Sequence, residues 1–587
     1  VLVGAYADEA KTLSAIKRKE LDFLKTFKKF SGEKKMDYSK LAELLFPGVK
    51  ETPEFYENKY GERNLPEGAR VTRFAPSPTG YLHIGGLFAA LIAKLTADVS
   101  GGAFYLRIED TDKKREVEDG VTGIIKGLHD FGIDVEEGVT GFDSEAGAYG
   151  PYTQSRRADI YHCFAKYLVA QGLAYPCFCT AEELEELRAS QEKDGITPGY
   201  YGEYARCRNL SFEEIQNRIE RGVPYVLRLK SPGRPDGKII FDDMIKGKIE
   251  MPENITDVVL LKTDGIPTYH FAHCVDDHLM RTTHVVRGDE WISSVPTHIQ
   301  LFKCCDFKVP KYAHIAPIMK LDNGNKRKLS KRKDPEAAVE YYVEEGFPKE
   351  SVLEYLLTLA NSNFEDWRRA NKEAPVSDFP FNLKKMSVSG ALFDLAKLND
   401  ISKNVISVMD ADTVLKKTEE WAKNYNPEFY DLIEADRQKM RSILNIDREN
   451  AKPRKDISRW ADVPDYVSYF YGETYCQNCD VLPESISKKD AVDVLKAYKQ
   501  VFDINDDKDT WFQKIKDLCE PLGFTPNVKE YKANPENFKG HVGDVSTIIR
   551  VALTSRTNTP DLHAIMAVLG KTEVNNRFDA AIADWEK

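Results

Sequence analysis

Two short runs far apart in the chain decide its reading: His83-Ile84-Gly85-Gly86 and Lys328-Leu329-Ser330-Lys331-Arg332. The first follows a β-like stretch at residues 69–74 (Ala-Arg-Val-Thr-Arg-Phe). Ala75-Pro76-Ser77-Pro78-Thr79-Gly80 breaks that stretch, because proline cannot donate to a ladder. Phe88, Leu91, Ile92 and Leu95 then recur at helical spacing. His83 to Gly86 is therefore expected to open a helix just past a strand end. Such an end presents unpaired N–H groups and a partial positive charge, which suits phosphate. Gly85 and Gly86 admit close approach to the backbone, and His83 can donate to a phosphate oxygen. Read alone, the run is equally a strand–turn–helix corner with a capping histidine.

The second run lies in residues 326–333, of which six of eight are cationic. It follows Leu321-Asp322-Asn323-Gly324, a turn signal, and is expected on a mobile loop. Cations there can clamp a reacting phosphate and stabilise charge that grows in the transition state. A solvated basic loop or a general nucleic-acid patch is the other reading.

The 587 residues suggest about four domains. A hydrophobic fraction of 42% with 30% charged residues is that of a globular chain. No apolar run reaches the length of a membrane span and no secretory signal is evident, so no membrane partner is expected. Ten cysteines without a dense framework fit a reducing compartment, the cytoplasm. The net charge of −11 does not exclude nucleic acid, since only the contact face must be basic. The chain begins with Val1, Met36 is a candidate internal start, and Ser14 to Phe30 reads as a lysine-rich helix. The acidic stretch at 51–57 reads as exposed.

Residues 103–108 read as a second strand running into Glu109-Asp110-Thr111-Asp112, and 118–131 as a helix. His284 to Arg287 reads as a short strand, followed by a helix from 295 to about 305. Alternation of this kind implies a parallel sheet with ligands at the carboxyl ends of its strands, where Arg73, Glu109 and Arg287 fall. After about residue 400 strand signals thin out and helical spacing takes over.

Val71-Thr-Arg-Phe-Ala-Pro-Ser-Pro-Thr-Gly-Tyr-Leu-His-Ile-Gly-Gly86 resembles the opening of glutamyl-tRNA synthetases, class I enzymes of the bacterial type. Arg107 to Asp112, Gly150 to Ser155, Gly265 to His270, Val275 to Met280 and Val286 to Trp291 are similar to further blocks of that family. Phe393 to Asn399, Val551 to Thr554 and Leu562 to Met566 resemble its later parts. Glutaminyl enzymes typically carry Pro-Pro-Glu-Pro-Asn where this chain has Ala75 to Thr79.

The resemblance implies an α/β fold: a class I, Rossmann-like parallel-sheet catalytic domain at 69–160 and 266–312, with an inserted acceptor-end-binding domain at 161–265. A stem-contact region with the Lys-Leu-Ser-Lys-Arg loop would follow at 313–400, then an all-helical anticodon-binding region at 401–587. Residues 1–68 would be an extension. The implied activity is ATP-dependent glutamate–tRNA ligation, a step of protein biosynthesis. Glutamate would be activated to glutamyl-adenylate with Mg²⁺ accompanying ATP, then transferred to the 3′-terminal adenosine of tRNA. By the family pattern His83, Gly85, Gly86, Lys328, Ser330 and Lys331 handle ATP, with His83, Lys328 and Lys331 catalytic. A pocket for glutamate needs two strong cationic donors and one anion; Arg73 and Arg287 supply the first, Glu109 the second. The family adds Ser77 and Tyr269, and His273 stands where many members have Asn. Cys177, Cys179 and Cys207 resemble a zinc site of some members; the expected fourth position is Asn209, a poor ligand, so three ordinary buried thiols remain the other reading. Cys476-Gln-Asn-Cys479 reads as structural.

Arg228, Lys230, Arg234, Lys331, Arg437, Lys439 and Arg441 are candidate phosphate contacts. A monomer is expected. Two other functions remain open: a glutamyl transferase acting on a modified tRNA base, which would lack the long region after 400, and a tRNA-binding scaffold without catalysis.

Overall fold

The computed structural model describes residues 36–587, apart from 113–116, 118, 331, 373, 473, 474, 476, 477 and the side chain of Cys479. Lys331, Cys476 and the stretch from Ser14 to Phe30 thus lie outside the described residues. The chain divides into two compact units. The first runs to Thr79 and takes in Ser100–Val117 and Glu136–His314; the second takes in Gly80–Val99, Glu118–Val135 and Ile315–Lys587.

The first unit holds three small sheets. In one, β1 (Val71–Phe74), β2 (Ala103–Leu106) and β3 (Glu137–Val139) pair in parallel, and β4 (Glu145–Ala146) closes the edge antiparallel. The expected strands are trimmed. Ala69 is tied back to Pro66 by a turn, so β1 begins at Val71. Ile108 leaves the β2 ladder and exchanges hydrogen bonds with Tyr152 and Gln154 instead. In the second sheet, β5 (Ala174–Cys177), β6 (Val226–Leu229) and β9 (Val259–Leu261) are antiparallel. In the third, the order is β10–β11–β7–β8: the hairpin of β7 (Lys238–Asp243) and β8 (Gly247–Pro252) joins β10 (His284–Gly288) through β11 (Lys311–Ile315). Asp243, at the end of β7, lies opposite Tyr312 in a parallel register.

Residues before β1 are built into this unit. Helices Tyr38–Leu45 and Pro53–Lys59 are capped by the side chains of Asp37 and Thr52. Arg63 grips Glu137 with two 2.7 Å bonds and donates to Met280 O. The Tyr60 hydroxyl reaches Gly150 O at 2.8 Å. Glu51 and Glu54 are exposed as expected of the acidic stretch, whereas Glu57, partly buried, is engaged by His278 and by Arg281 at 2.8 Å. A carboxylate beside two cation-capable side chains is held by charge-assisted bonds rather than left in water.

In the second unit, helices Ile84–Asp98 and Gly120–Asp130 precede the hairpin of β12 (Met319–Asp322) and β13 (Asn325–Lys328). Asn323 and Gly324 turn it with φ of 49° and 81°, the left-handed pair a tight hairpin requires. Among the described residues no strand follows β13, in line with the fading strand pattern. Two apolar clusters organise the helices. One gathers Val414, Phe429, Ile443, Trp460 and Phe470; the other gathers Leu495, Trp511, Ile549, Phe578 and Trp585. The long helix Leu562–Trp585 bends at Gly570 (φ 79°); Ile565 packs in the first cluster, while Leu562, Met566, Val574, Phe578 and Trp585 pack in the second. Among the described residues no helix is long and apolar enough to cross a membrane.

Gly138 in β3 has φ 113°, and a Cβ there would lie 2.1 Å from Leu106 O. Gly138→Ala should destabilise the fold by about 3 kcal/mol through strain and overlap with backbone. Chemical denaturation followed by circular dichroism measures this; an unchanged midpoint would show that β3 is free to shift.

Candidate active site

In the first unit a buried cluster of charge forms around the ends of β1, β2 and β10. Arg73 of β1 donates through Nε to both Asp277 oxygens at 3.2 and 3.3 Å and from Nη1 to Val286 O. Arg107, just past β2, donates to Asp277 at 2.7 Å and to Glu109 at 2.9 Å. Arg73 and Glu109 thus pair with different partners, Asp277 and Arg107. Asp277 takes Arg73 because helix Tyr269–Leu279 carries that carboxylate in beside it. Burial opposes charge on Asp277, yet Arg73, Arg107 and His273 hold its carboxyl well below the ordinary range. Burial raises the Glu109 carboxyl against the pull of Arg107 and Arg73. Asp276, its neighbour, accepts from Arg157 at 2.7 Å, Tyr161 at 2.8 Å and Gln154 at 2.9 Å, anchoring the helix from its other side.

Arg287 differs in kind. It is 6% exposed, and all its hydrogen-bond partners are neutral. Nε donates to His314 Nε2 at 3.1 Å, Nη1 to the Tyr269 hydroxyl at 3.3 Å, and Nη2 to His298 Nδ1 at 3.2 Å and Trp291 O at 3.5 Å. Its guanidinium also faces the Tyr312 ring, 5.0 Å from the centroid. A guanidinium has donors only, so both ring nitrogens facing it are unprotonated acceptors. His298 then carries its proton on Nε2 and gives it to His270 Nδ1 at 2.9 Å. His314 carries its proton on Nδ1 and gives it to Asp243 at 2.7 Å. Burial pushes His270, His298 and His314 below the ordinary imidazole value, with Arg287 adding to each. His273 is buried, its Nδ1 2.8 Å from Asp277; burial pushes it down to about 3 although Asp277 pulls the other way. Among the described residues no carboxylate pairs with Arg287. A buried cation among neutral partners is chemically suited to an anionic ligand. Ser77 is exposed on the loop after β1 and joins none of these contacts. The histidines, Asp277, Arg107 and Trp291 carry no periodicity that a single sequence reveals; block resemblance was the one signal for Arg107, His270, Asp277 and Trp291, and His298 and His314 had none.

In the second unit the first motif meets the segment that follows the basic run. His83 caps helix Ile84–Asp98, its Nδ1 accepting from Gly85 N at 2.9 Å. The capping reading holds, and it places the ring proton on Nε2. A Cβ on Gly85 would fall 3.2 Å from that Nδ1, so the cap itself favours glycine. Gly86 N donates to His83 O at 2.7 Å. His83 forms an antiparallel bridge with Ala338, and Val339 N donates to Leu82 O at 3.2 Å. The first part of the basic run is strand rather than loop. Lys326, Arg327 and Lys328 belong to β13, and Leu329 is buried at 3% exposure, worth about 2 kcal/mol as an anchor. Asp334 ties the segment: it accepts from Arg327 at 2.6 and 2.8 Å, from Ser330 N at 2.9 Å, and pairs with Lys320 at 3.1 Å.

Cys177, Cys179 and Cys207 bring their sulfurs within 4.8 Å of one another in a small apolar cluster. The Tyr200 hydroxyl lies 3.4 Å from Cys179 Sγ, so a phenol oxygen adjoins the thiols. Hydrogen bonds from Cys179 and Cys207 hold the Cys177 thiol below its ordinary value. Three cysteine sulfurs so placed suit zinc, with the phenol oxygen as the neighbouring fourth donor. Several expected phosphate contacts are committed elsewhere. Arg228 is buried, donating to Asp257 O over the Tyr200 ring; Arg437 pairs with Glu419, Arg441 with Asp412, and Lys439 donates to Phe470 O.

Residues 70–400 match the family "tRNA synthetases class I (E and Q), catalytic domain", and 413–582 match "Anticodon binding domain". The chain belongs to the class I tRNA synthetases of the E and Q group. Within it, the chain is 53% identical over 551 residues to a glutamate–tRNA ligase of Clostridium perfringens, covering 93% of this chain and 100% of that one. It is 48% identical to the glutamate–tRNA ligase of Acetivibrio thermocellus, over 92% and 99% of the two. A crystal structure of a glutamate tRNA ligase from Elizabethkingia meningosepticum in complex with its amino acid superposes with a TM-score of 0.68 at 29% identity, covering 88% of this chain and 99% of that one.

Arg327 first, with Ser330 N and Lys320, holds the Asp334 carboxyl below its ordinary value against burial. The stability this contributes is present above the ordinary carboxylate range and is lost as pH falls through the lowered value. Asp334→Asn should therefore lower the thermal midpoint at neutral pH and have little effect in strong acid. Equal midpoints at neutral pH would show that the hub carries no stability.

Proposed function

We propose that the chain is a glutamate–tRNA ligase. It joins L-glutamate to ATP, releasing pyrophosphate, and passes the glutamyl group to the 3′-terminal adenosine of tRNA with release of AMP. The observation that carries the reading is Arg287, a buried guanidinium whose described partners are all neutral. In that role it supplies the charge a substrate carboxylate requires, while Arg73, already paired with Asp277, supplies directed hydrogen bonds. Glutamine would leave the Arg287 charge uncompensated, which makes discrimination steep. Glu109 takes the substrate ammonium, and the Tyr269 hydroxyl and ring wall the pocket. The second unit handles the nucleotide: His83 Nε2–H, the helix start at Gly85 and Gly86, and Lys328, Ser330 and Lys331 engage the phosphates, with Mg²⁺ entering as part of the ATP substrate. Positioning and charge stabilisation do most of the work, since the carboxylate oxygen is itself the nucleophile. The anticodon-binding match at 413–582 favours this reading over a transferase acting on a modified base.

Cys177, Cys179, Cys207 and Tyr200 would hold a zinc ion that ties the β5 end to the segment before residue 208, a structural role with no part in the reaction. Metal analysis of the purified protein should give about one zinc per chain, lost in Cys207→Ser; a metal-free, equally stable wild type would refute the site.

Purified total tRNA offered with labelled glutamate should be charged, and labelled glutamine should not. Because members of this family generally need tRNA for activation, ATP–pyrophosphate exchange is to be measured with tRNA present; its absence under those conditions would overturn the reading. Lys331→Ala should slow turnover about 100-fold or more, the scale of a lost oxyanion donor. Arg287→Gln should raise the KM for glutamate about 100-fold, as for truncation of a buried charge partner, and leave the KM for ATP nearly unchanged.

A further inference from the structure

We propose that His314, held by Asp243, is a positioning residue that fixes Arg287 for the substrate carboxylate. The inference rests on the reading of Arg287 given above and adds to it two residues that touch no substrate.

The geometry runs in one direction. Asp243 ends β7, where its Oδ1 accepts from Ile245 N and Lys246 N, both at 2.9 Å. Its Oδ2 accepts from His314 N at 3.1 Å and from His314 Nδ1 at 2.7 Å. The carboxylate is thus clamped by three backbone donors and cannot rotate away from the ring. It holds the proton on Nδ1, which leaves the Nε2 lone pair aimed at Arg287 Nε, 3.1 Å away. His314 is fully buried, and its ring stacks on Tyr312 at 5.7 Å with 14° between the planes. Imidazole is suited to this position because it accepts from the guanidinium while adding no negative charge. A carboxylate in its place would neutralise Arg287 as Asp277 neutralises Arg73. The relay therefore fixes the side chain and preserves its charge at once. Burial and the Arg287 charge both disfavour a second proton on the ring, although Asp243 pulls the other way.

The test compares His314→Leu, His314→Gln and Asp243→Asn with wild type in glutamate-dependent ATP–pyrophosphate exchange with tRNA present. Leu keeps volume but neither polar group. Gln restores an acceptor and a donor in the same order. Asn at 243 can still accept the two turn N–H groups through its oxygen but presents an amide donor to His314, which favours the wrong tautomer. His314→Leu and Asp243→Asn should raise the KM for glutamate about tenfold or more, the scale of a lost bond to a charged group. The KM for ATP should stay within about twofold. His314→Gln should recover most of the glutamate KM. Should His314→Leu fail to fold, Asp243→Asn against His314→Gln makes the same comparison. Joint rises in both KM values, a glutamate KM unchanged in Asp243→Asn, or a Gln variant no better than its comparator would overturn the relay. If wild type itself shows no glutamate-dependent exchange, the functional reading fails instead.

Discussion

The first unit depends on one buried carboxylate. Asp277 accepts from Arg73 of β1, from Arg107 beyond β2 and from the Tyr105 hydroxyl, and lies beside His273 on its own helix. Two parallel strands and a helix are thereby locked at a shared point. Without it Arg73 would lose its carboxylate partner and Arg107 would rely on Glu109 and, at 3.8 Å, Asp276, and an interior charge left unpaired is costly. The neighbouring Asp276 does the same service for Arg157 on the opposite side, so the short helix Tyr269–Leu279 is held by ions on both flanks.

Against that background the two arginines assigned to substrate are complementary. Arg73 is rigid and largely neutralised. Arg287 is rigid and keeps its charge, because histidines rather than carboxylates surround it. Its field acts through a low-dielectric interior, where a unit charge counts for more than at the surface. A pocket with one directed, charge-balanced donor and one exposed field is matched to a ligand with two carboxylates and an amine. Asp334 serves the second unit in a comparable way: one buried carboxylate sets the path of a strongly basic strand that would otherwise repel itself.

Much of this was legible in the sequence, and the remainder was not for identifiable reasons. Pro76 and Pro78 mark the end of β1 because a missing donor is a local property. The helix after His83 shows in its apolar spacing, and so does the helical character beyond residue 400. Arg73, Glu109 and Arg287 could be placed at strand ends. Their partners could not, since the pairing of Arg73 with Asp277 spans 204 positions and leaves no local pattern. Tyr200 as neighbour to the thiols was hidden for the same reason, and the search two residues past Cys207 followed spacing where proximity in space decides. The loop expected over 326–333 begins only after Lys328, because Lys326 to Lys328 pair as a hairpin strand with Asp322 and Asp334 neutralising Arg327.

The long separations within this buried cluster bear on how the chain reaches its native state. Arg107 and Asp277 stand 170 positions apart, and Asp243 and His314 stand 71 apart. Closing such loops costs entropy before any contact rewards it. The helical part of the second unit, with its local contacts, can form early, whereas the cluster around Asp277 can assemble only once both flanking stretches have been made and folded back. A nascent or truncated chain ending before residue 277 would leave Arg73 without its carboxylate and Arg107 with Glu109 alone, and the cost of burying Arg73 unpaired keeps the region open until the helix arrives.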